Sequence, residues 1–132
     1  MKVRKKRISI IFVIALLMIF SSTMVSADTT HFTRPRINGS YGEGRSSIYH
    51  DNAYASTSYG KTGSSISVSS TYYFIKTSSN TMQTMTGSNG GQSGVRSVTF
   101  GAPRGCESYQ IRSTHRISSG GEKWSGTTSP KY

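Results

Sequence analysis

Cys106 and His115 are residue types that would suit a nucleophile and its general base. A thiolate is populated at neutral pH only beside a base or a cation. If both residues lie on one strand, their separation of nine positions corresponds to about 30 Å, which is too far for proton transfer. Only a histidine from another strand, such as His50, would supply the base. We therefore predict a structural role for Cys106 and no catalytic residues.

The histidines lack the spacing of a metal site. His31, His50 and His115 are 19 and 65 residues apart, whereas metal ligands usually occur at short spacings. The chain has a single cysteine, which excludes an internal disulfide as well as a cysteine-rich metal site. We predict neither a metal nor another cofactor.

The acidic residues limit carboxylate chemistry. Glycoside hydrolysis needs two carboxylates that converge across a cleft, and a chain of this size rarely forms one. A small secreted hydrolase that uses the thiol or a carboxylate pair is kept as an alternative to a non-enzymatic function. The acids are Asp28, Glu43, Asp51, Glu107 and Glu122.

Aromatic and basic residues offer more for binding. Flat rings beside hydroxyl and amide groups suit carbohydrates, because sugar C–H faces stack on rings while sugar hydroxyls form hydrogen bonds. Two arginines on one strand face, four positions apart, are separated by about 13 Å, beyond the Debye length of about 8 Å. Such a pair suits successive charges on an extended polymer rather than one small anion. The residues that we predict for ligand binding are Tyr73, Gln110, Arg112, Arg116 and Trp124.

Each of these residues also has an ordinary structural explanation. A lone tryptophan such as Trp124 is often a core residue. Arg112 and Arg116 would also keep a serine-rich sheet soluble and discourage pairing at sheet edges. The sequence leaves both explanations open.

The elements that would position these residues are β-strands. Alternation is clearest at 65–74, where Ile66, Val68, Tyr72 and Phe74 share one face. No segment after residue 27 has a sustained helical period, so we predict an all-β antiparallel sandwich, immunoglobulin-like or jelly-roll-like, with about six strands. Glycine-rich segments at 60–63, 88–94, 101–105 and 118–121 are predicted as turns or loops. The predicted strands are 48–59, 65–74, 81–86, 95–100, 107–117 and a short segment around Trp124.

The N-terminus has the features of a secretory signal peptide. Five basic residues occur within the first seven positions, residues 10–20 are all apolar, and Val25-Ser26-Ala27 supplies small residues for cleavage. The apolar run is shorter than the roughly 20 residues that span a bilayer. We predict a signal peptide at 1–27 that is cleaved after Ala27, a flexible lead segment at 28–45 that pairs at most as an edge strand, and one sandwich domain at 46–132.

Charge and composition narrow the function of the mature domain. Removing residues 1–27 takes away five of 16 basic residues and none of the five acids, so the formal charge falls from +11 to +6. Export argues against nucleic acid as a partner. We expect a secreted, non-catalytic binding module at the bacterial cell envelope, with an anionic wall polymer, a carbohydrate or a membrane surface as partner. A secreted cationic effector, bacteriocin-like or toxin-like, is the main alternative.

Overall fold

A computed structural model describes residues 28–132, and the predicted signal peptide at 1–27 lies outside the described residues. The regular elements of residues 28–132 are all β-strands. This part of the chain includes no helix with the length and apolarity needed to cross a membrane. The strands are β1 (Thr29–Thr33), β2 (Arg36–Ile37), β3 (Ser40–Tyr41), β4 (Glu43–Ile48), β5 (Asn52–Tyr59), β6 (Ser65–Lys76), β7 (Thr81–Gln92), β8 (Gly94–Gly101), β9 (Cys106–Ser119) and β10 (Glu122–Thr128).

The strands form two four-stranded sheets that pack face to face. The first sheet has the order β1-β4-β5-β8, and the second sheet has the order β10-β9-β6-β7. All pairings within the two sheets are antiparallel, and β2 pairs with β3 as a short separate ribbon. This architecture confirms the predicted all-β antiparallel sandwich, although the described residues form ten strands rather than about six.

The segment 28–45 differs from the predicted flexible lead. It forms β1, β2, β3 and the first half of β4, and β1 is an edge strand of the first sheet. We call residues 29–48 the N-terminal hairpin, because one antiparallel register runs along β1–β4 and β2–β3. The hairpin turns at Asn38 and Gly39, whose φ angles are 45° and 77°, as a two-residue turn of this kind requires.

The predicted strand 48–59 is divided by a turn. β4 ends at Ile48, and β5 begins at Asn52. The Tyr49 amide donates a hydrogen bond to the Asn52 carbonyl at 2.8 Å, which closes the connection. Within β5, the residues Ala53, Ala55, Thr57 and Tyr59 share one face and are buried.

The loop predicted at 88–94 is wrong, because β7 continues to Gln92 and only Ser93 separates it from β8. Glycines inside β7 make room for side chains of β8, where the two sheets meet. A Cβ atom at Gly87 would lie 3.2 Å from the Phe100 ring, and one at Gly91 would lie 2.8 Å from the Arg96 guanidinium. A cluster of glycines usually indicates a loop. Here the glycines lie within a strand, because only glycine leaves room for the β8 side chains that pack against it.

The interior between the sheets has two apolar clusters. The larger cluster includes the stacked rings of Tyr72 and Phe100, whose centroids are 5.6 Å apart. The smaller cluster lies towards the Gly120 end of the molecule, and half-buried Trp124 packs against it. The buried members of the two clusters are Ile48, Ala53, Ala55, Val68, Tyr72, Phe74, Phe100 and Ile111 in the larger, and Ile37, Tyr59, Ile66 and Ile117 in the smaller.

A polar network lies in the same interior and joins the two sheets. His115 is fully buried, and its Nδ1 and Nε2 atoms lie 2.9 and 2.8 Å from the hydroxyls of Thr57 and Thr128. The Ser46 hydroxyl is 2.5 Å from that of Thr128 and donates to that of Ser113 at 2.8 Å. Buried polar groups are costly unless they are paired, and these hydroxyls and the ring satisfy one another.

Candidate functional site

The outer face of the second sheet is the candidate site, because four of the five predicted binding residues lie on it. Hydroxyl-bearing side chains dominate this face, three of its residues are cationic, and none of the 18 residues given below is acidic. Between the Gly120 end and the register shift at Tyr73, strand alternation assigns to the outer face Thr84, Thr86, Ser88, Gly90 and Gln92 of β7, Ser65, Ser67, Ser69, Thr71 and Tyr73 of β6, Gln110, Arg112, Thr114, Arg116 and Ser118 of β9, and Lys123, Ser125 and Thr127 of β10. Beyond the register shift the same face continues with Ile75 and its partner Glu107, which is acidic.

Three depressions on this face follow one another along β6 and β9. Their volumes are about 550, 150 and 660 Å³. Ser69 and Thr114 line both the first and the second depression, while Ser67 and Arg116 line both the second and the third. The depressions therefore form one open groove. From Tyr73 to Ser65 this groove is about 26 Å long, at about 3.3 Å per strand residue.

Tyr73, Gln110 and Arg112 form a compact group at one end of the groove. Tyr73 and Gln110 are direct partners across β6 and β9. The Arg112 guanidinium carbon lies 5.3 Å from the Tyr73 ring centroid, and Arg112 Nε donates to the Gln110 side-chain carbonyl at 3.2 Å. Gln110 itself is buried, and its amide donates to the Ser129 carbonyl at 3.5 Å. Gln110 thus holds Arg112 in place, and the arginine is exposed on this face.

A β-bulge determines which side chains accompany this group. β6 and β9 change register between Tyr73 and Phe74, so that Tyr109 is the extra residue of β9. The bulge moves Ser108 to the interior, where its hydroxyl lies 2.6 Å from that of Tyr72. The sequence alternation predicts Ser108 on the same face as Gln110, and this prediction is wrong. A bulge reverses the alternation on one side of the extra residue.

Arg116 lies in the middle of the groove, and Lys123 lies at its far end. The Arg116 side chain is exposed and has no acidic neighbour on this face. Lys123 pairs with Ser118, one row beyond Arg116 and one strand across. The sequence prediction missed Lys123. The sequence contains the information needed to place it. The Gly120-Gly121 turn fixes the β9–β10 register and therefore the face on which Lys123 lies.

Trp124 does not join the other predicted binding residues. It pairs with Ile117 across β9 and β10 and packs against the smaller apolar cluster. A Cβ atom at Gly126 would lie 2.2 Å from the indole, so the ring covers this glycine. Trp124 contributes to one end of the groove wall, while its main contacts are with the interior.

The groups considered for catalysis are engaged elsewhere. Cys106 is a half-buried free thiol that packs against the larger cluster. Both ring nitrogens of His115 have hydroxyl partners. His50 Nε2 lies 3.6 Å from a Glu107 carboxylate oxygen. Among residues 28–132, no group of three or more His, Cys, Asp and Glu side chains is placed to hold a metal ion.

Comparison of the chain with protein-family models, with curated proteins and with solved structures found no match. The functional argument therefore depends on the geometry and charge of the site. An open groove of this length, lined by hydroxyls and cations, has the shape to contact a long ligand at many points rather than to enclose a small one.

Proposed function

We propose that the domain is secreted and acts as a non-catalytic binding module at the bacterial cell envelope, holding a segment of an anionic wall polymer or acidic polysaccharide in the groove of the second sheet. The observation that carries this proposal is the continuity of the groove. Three depressions joined through shared lining residues run past Arg112, Arg116 and Lys123 without an intervening acid.

The spacing of the cations favours a polymer. Arg112 and Arg116 are four residues apart on β9, or about 13 Å, so each contacts a different charge of an extended chain. Cations on one open face also attract a polyanion over a distance and speed its encounter with the protein.

The hydroxyls between the cations favour a sugar-bearing polymer. Ser67, Ser69 and Thr114 lie at the narrow middle of the groove. Their hydroxyls donate and accept hydrogen bonds, as sugar hydroxyls do, and short side chains leave room for a ring to approach the sheet. Tyr73 adds an aromatic surface at one end, although part of its face is taken by Arg112.

The test is binding to purified cell walls and to isolated teichoic acid across a salt series. We expect binding of the unmodified domain to weaken steadily as salt rises. The double variant Arg112→Ala with Arg116→Ala should bind at least tenfold less tightly at low salt, since each of two charged contacts contributes about 1 kcal/mol. Its salt dependence should also be shallower.

A double variant with the same charge loss serves as the control. Arg104 and Lys76 are exposed and lie outside the residues that line the groove. Replacing both with alanine should leave binding nearly unchanged. Salt-insensitive binding, or equal loss in the two double variants, would contradict recognition of a polyanion by the groove.

A further inference from the structure

The outer face of the N-terminal hairpin has an ordered ladder of aromatic and charged residues. Phe32 pairs with Arg45 across β1 and β4, and Arg36 pairs with Tyr41 across β2 and β3. Between these pairs, Arg34 Nε donates to a Glu43 carboxylate oxygen at 2.8 Å. The hairpin ladder therefore consists of three successive cross-strand rows, made by Phe32, Arg34, Arg36, Tyr41, Glu43 and Arg45.

The two rings of the ladder are among the most exposed apolar groups of the described residues. Phe32 is 57% exposed and Tyr41 is 72% exposed. The guanidinium carbons of Arg34 and Arg45 lie 5.0 and 6.0 Å from the Phe32 ring centroid. Arg36 lies 5.9 Å from the Tyr41 ring centroid. Each ring thus stands in solvent with a cation beside it.

The charge of the ladder is positive. Glu43 is its only acid, and the two carboxylate oxygens accept hydrogen bonds from Arg34 and Arg45, each at 2.8 Å. These bonds lower the pKa of Glu43, with Arg34 making the largest contribution, so the carboxylate stays charged and both arginines stay oriented. Three arginines and one glutamate leave a net charge of +2, and within residues 28–132 Arg36 has no acidic partner.

We propose that the hairpin ladder is a membrane-contact surface, which places its two rings in the headgroup region of an anionic lipid bilayer while its arginines contact lipid phosphates. This proposal does not depend on the function proposed for the groove, although the two surfaces adjoin, because Phe32 lines a depression with Thr127 and Ser129, which also line the groove. The alternation of exposed rings with cations suits an interface that is apolar on one side and negatively charged on the other. A polyanion without apolar surfaces would satisfy the arginines but not Phe32, whose ring forms no hydrogen bond and gains free energy only by leaving water.

The test is sedimentation of the secreted domain with lipid vesicles. We expect clear binding to vesicles of phosphatidylcholine mixed with phosphatidylglycerol and little binding to phosphatidylcholine alone. Arg36→Ala should reduce binding to the mixed vesicles about fivefold, which is the effect of one cation near an anionic surface. Phe32→Ser with Tyr41→Ser should reduce it by about tenfold or more without a change in charge.

Matched variants elsewhere on the surface distinguish binding by the hairpin ladder from nonspecific adsorption to vesicles. Val95 and Met82 are 62% and 50% exposed, and replacing both with serine should leave vesicle binding unchanged. Arg104→Ala is the matched control for Arg36→Ala. Circular dichroism of each variant checks that the fold is kept. Equal binding to both vesicle types, no vesicle binding, or equal effects of ladder and control variants would overturn the proposal.

Discussion

His115 is an ionisable side chain in the middle of the interior, held neutral by its surroundings. Burial lowers its pKa from 6.5 to about 4, against a smaller opposing effect of the hydrogen bond with the Ser56 backbone. Hydroxyl partners on both nitrogens can accept or donate as the neutral ring requires. Neutral His115 therefore stabilises the fold, and its protonation destabilises it.

The pKa of His115 predicts a loss of stability in mild acid. The unfolded chain binds a proton at this residue below pH 6.5, whereas the folded chain does so only below about pH 4. The stabilisation is complete above pH 6.5 and falls as the pH drops towards 4. Between pH 7 and pH 4.5 the free energy of unfolding should decrease by about 2–3 kcal/mol. Urea titrations followed by Trp124 fluorescence measure this change.

Substitution of individual histidines tests the assignment. His115→Gln should be less stable at pH 7, because the network loses a partner, and its stability should vary much less between pH 6.5 and 4.5. His31 is exposed, so His31→Gln should keep the pH dependence of the unmodified domain. The window stops at pH 4.5 because loss of the Glu43 charge acts below that value. An unchanged pH dependence in His115→Gln would contradict the assignment.

At the scale of the elements, glycine determines how closely β4 approaches β9. Gly44 lies under the His115 ring, where a Cβ atom would be 2.5 Å from Cγ of the imidazole. Gly42 has a similar position, because a Cβ atom added there would lie 2.4 Å from the Cδ1 atom of Ile117. The N-terminal hairpin can therefore cover the interior only because these inward positions lack side chains.

This packing predicts different effects for two glycine-to-alanine substitutions in strands. Gly44→Ala should cost about 1–3 kcal/mol of stability, because the methyl group displaces His115 and its hydrogen bonds. Gly101 in β8 has no atom within 4 Å of an added Cβ, so Gly101→Ala should be neutral or slightly stabilising. Thermal unfolding of both variants measures the difference. Equal melting temperatures would show that β4 can move away from β9 at little cost.

At the scale of the whole molecule, the two proposed surfaces lie on the outer faces of different sheets and approach each other at the β1 and β10 edges, where Phe32, Thr127 and Ser129 line one depression. The groove lies on the outer face of the second sheet, and the hairpin ladder continues the outer face of β4 in the first sheet.

If both proposals hold, the domain should bind a polymer and a bilayer at the same time. We expect soluble teichoic acid to sediment with anionic vesicles only when the domain is present. Arg112→Ala with Arg116→Ala should abolish sedimentation of the polymer while leaving the domain on the vesicles, and Phe32→Ser with Tyr41→Ser should release both. Displacement of the domain from vesicles by the polymer would instead show that the two ligands compete for one surface.

Strands with regular apolar alternation can be predicted from the amino-acid sequence alone. For β6 and most of β9, the alternation predicts the correct inward face. Residues two apart in a strand point to the same side, and the inward residues of these two strands are mainly large and apolar. The sequence also predicts the turn at Gly120-Gly121. Both residues have positive φ angles in the structure, which glycine adopts without strain. The same alternation predicts that Arg112 and Arg116 lie on one face of β9.

Strands rich in glycine and serine, by contrast, become recognisable only once the sheets are packed. The inward positions of the N-terminal hairpin include Gly42, Gly44 and Ser46, and those of β7 include Gly87, so no apolar period marks these strands. Their conformation follows from what packs on them, such as the ring of His115 on Gly44 and that of Phe100 on Gly87. The groove likewise needed the register of four strands and the bulge at Tyr109, because pairing between distant segments is set by the packed sheet rather than by local residue patterns.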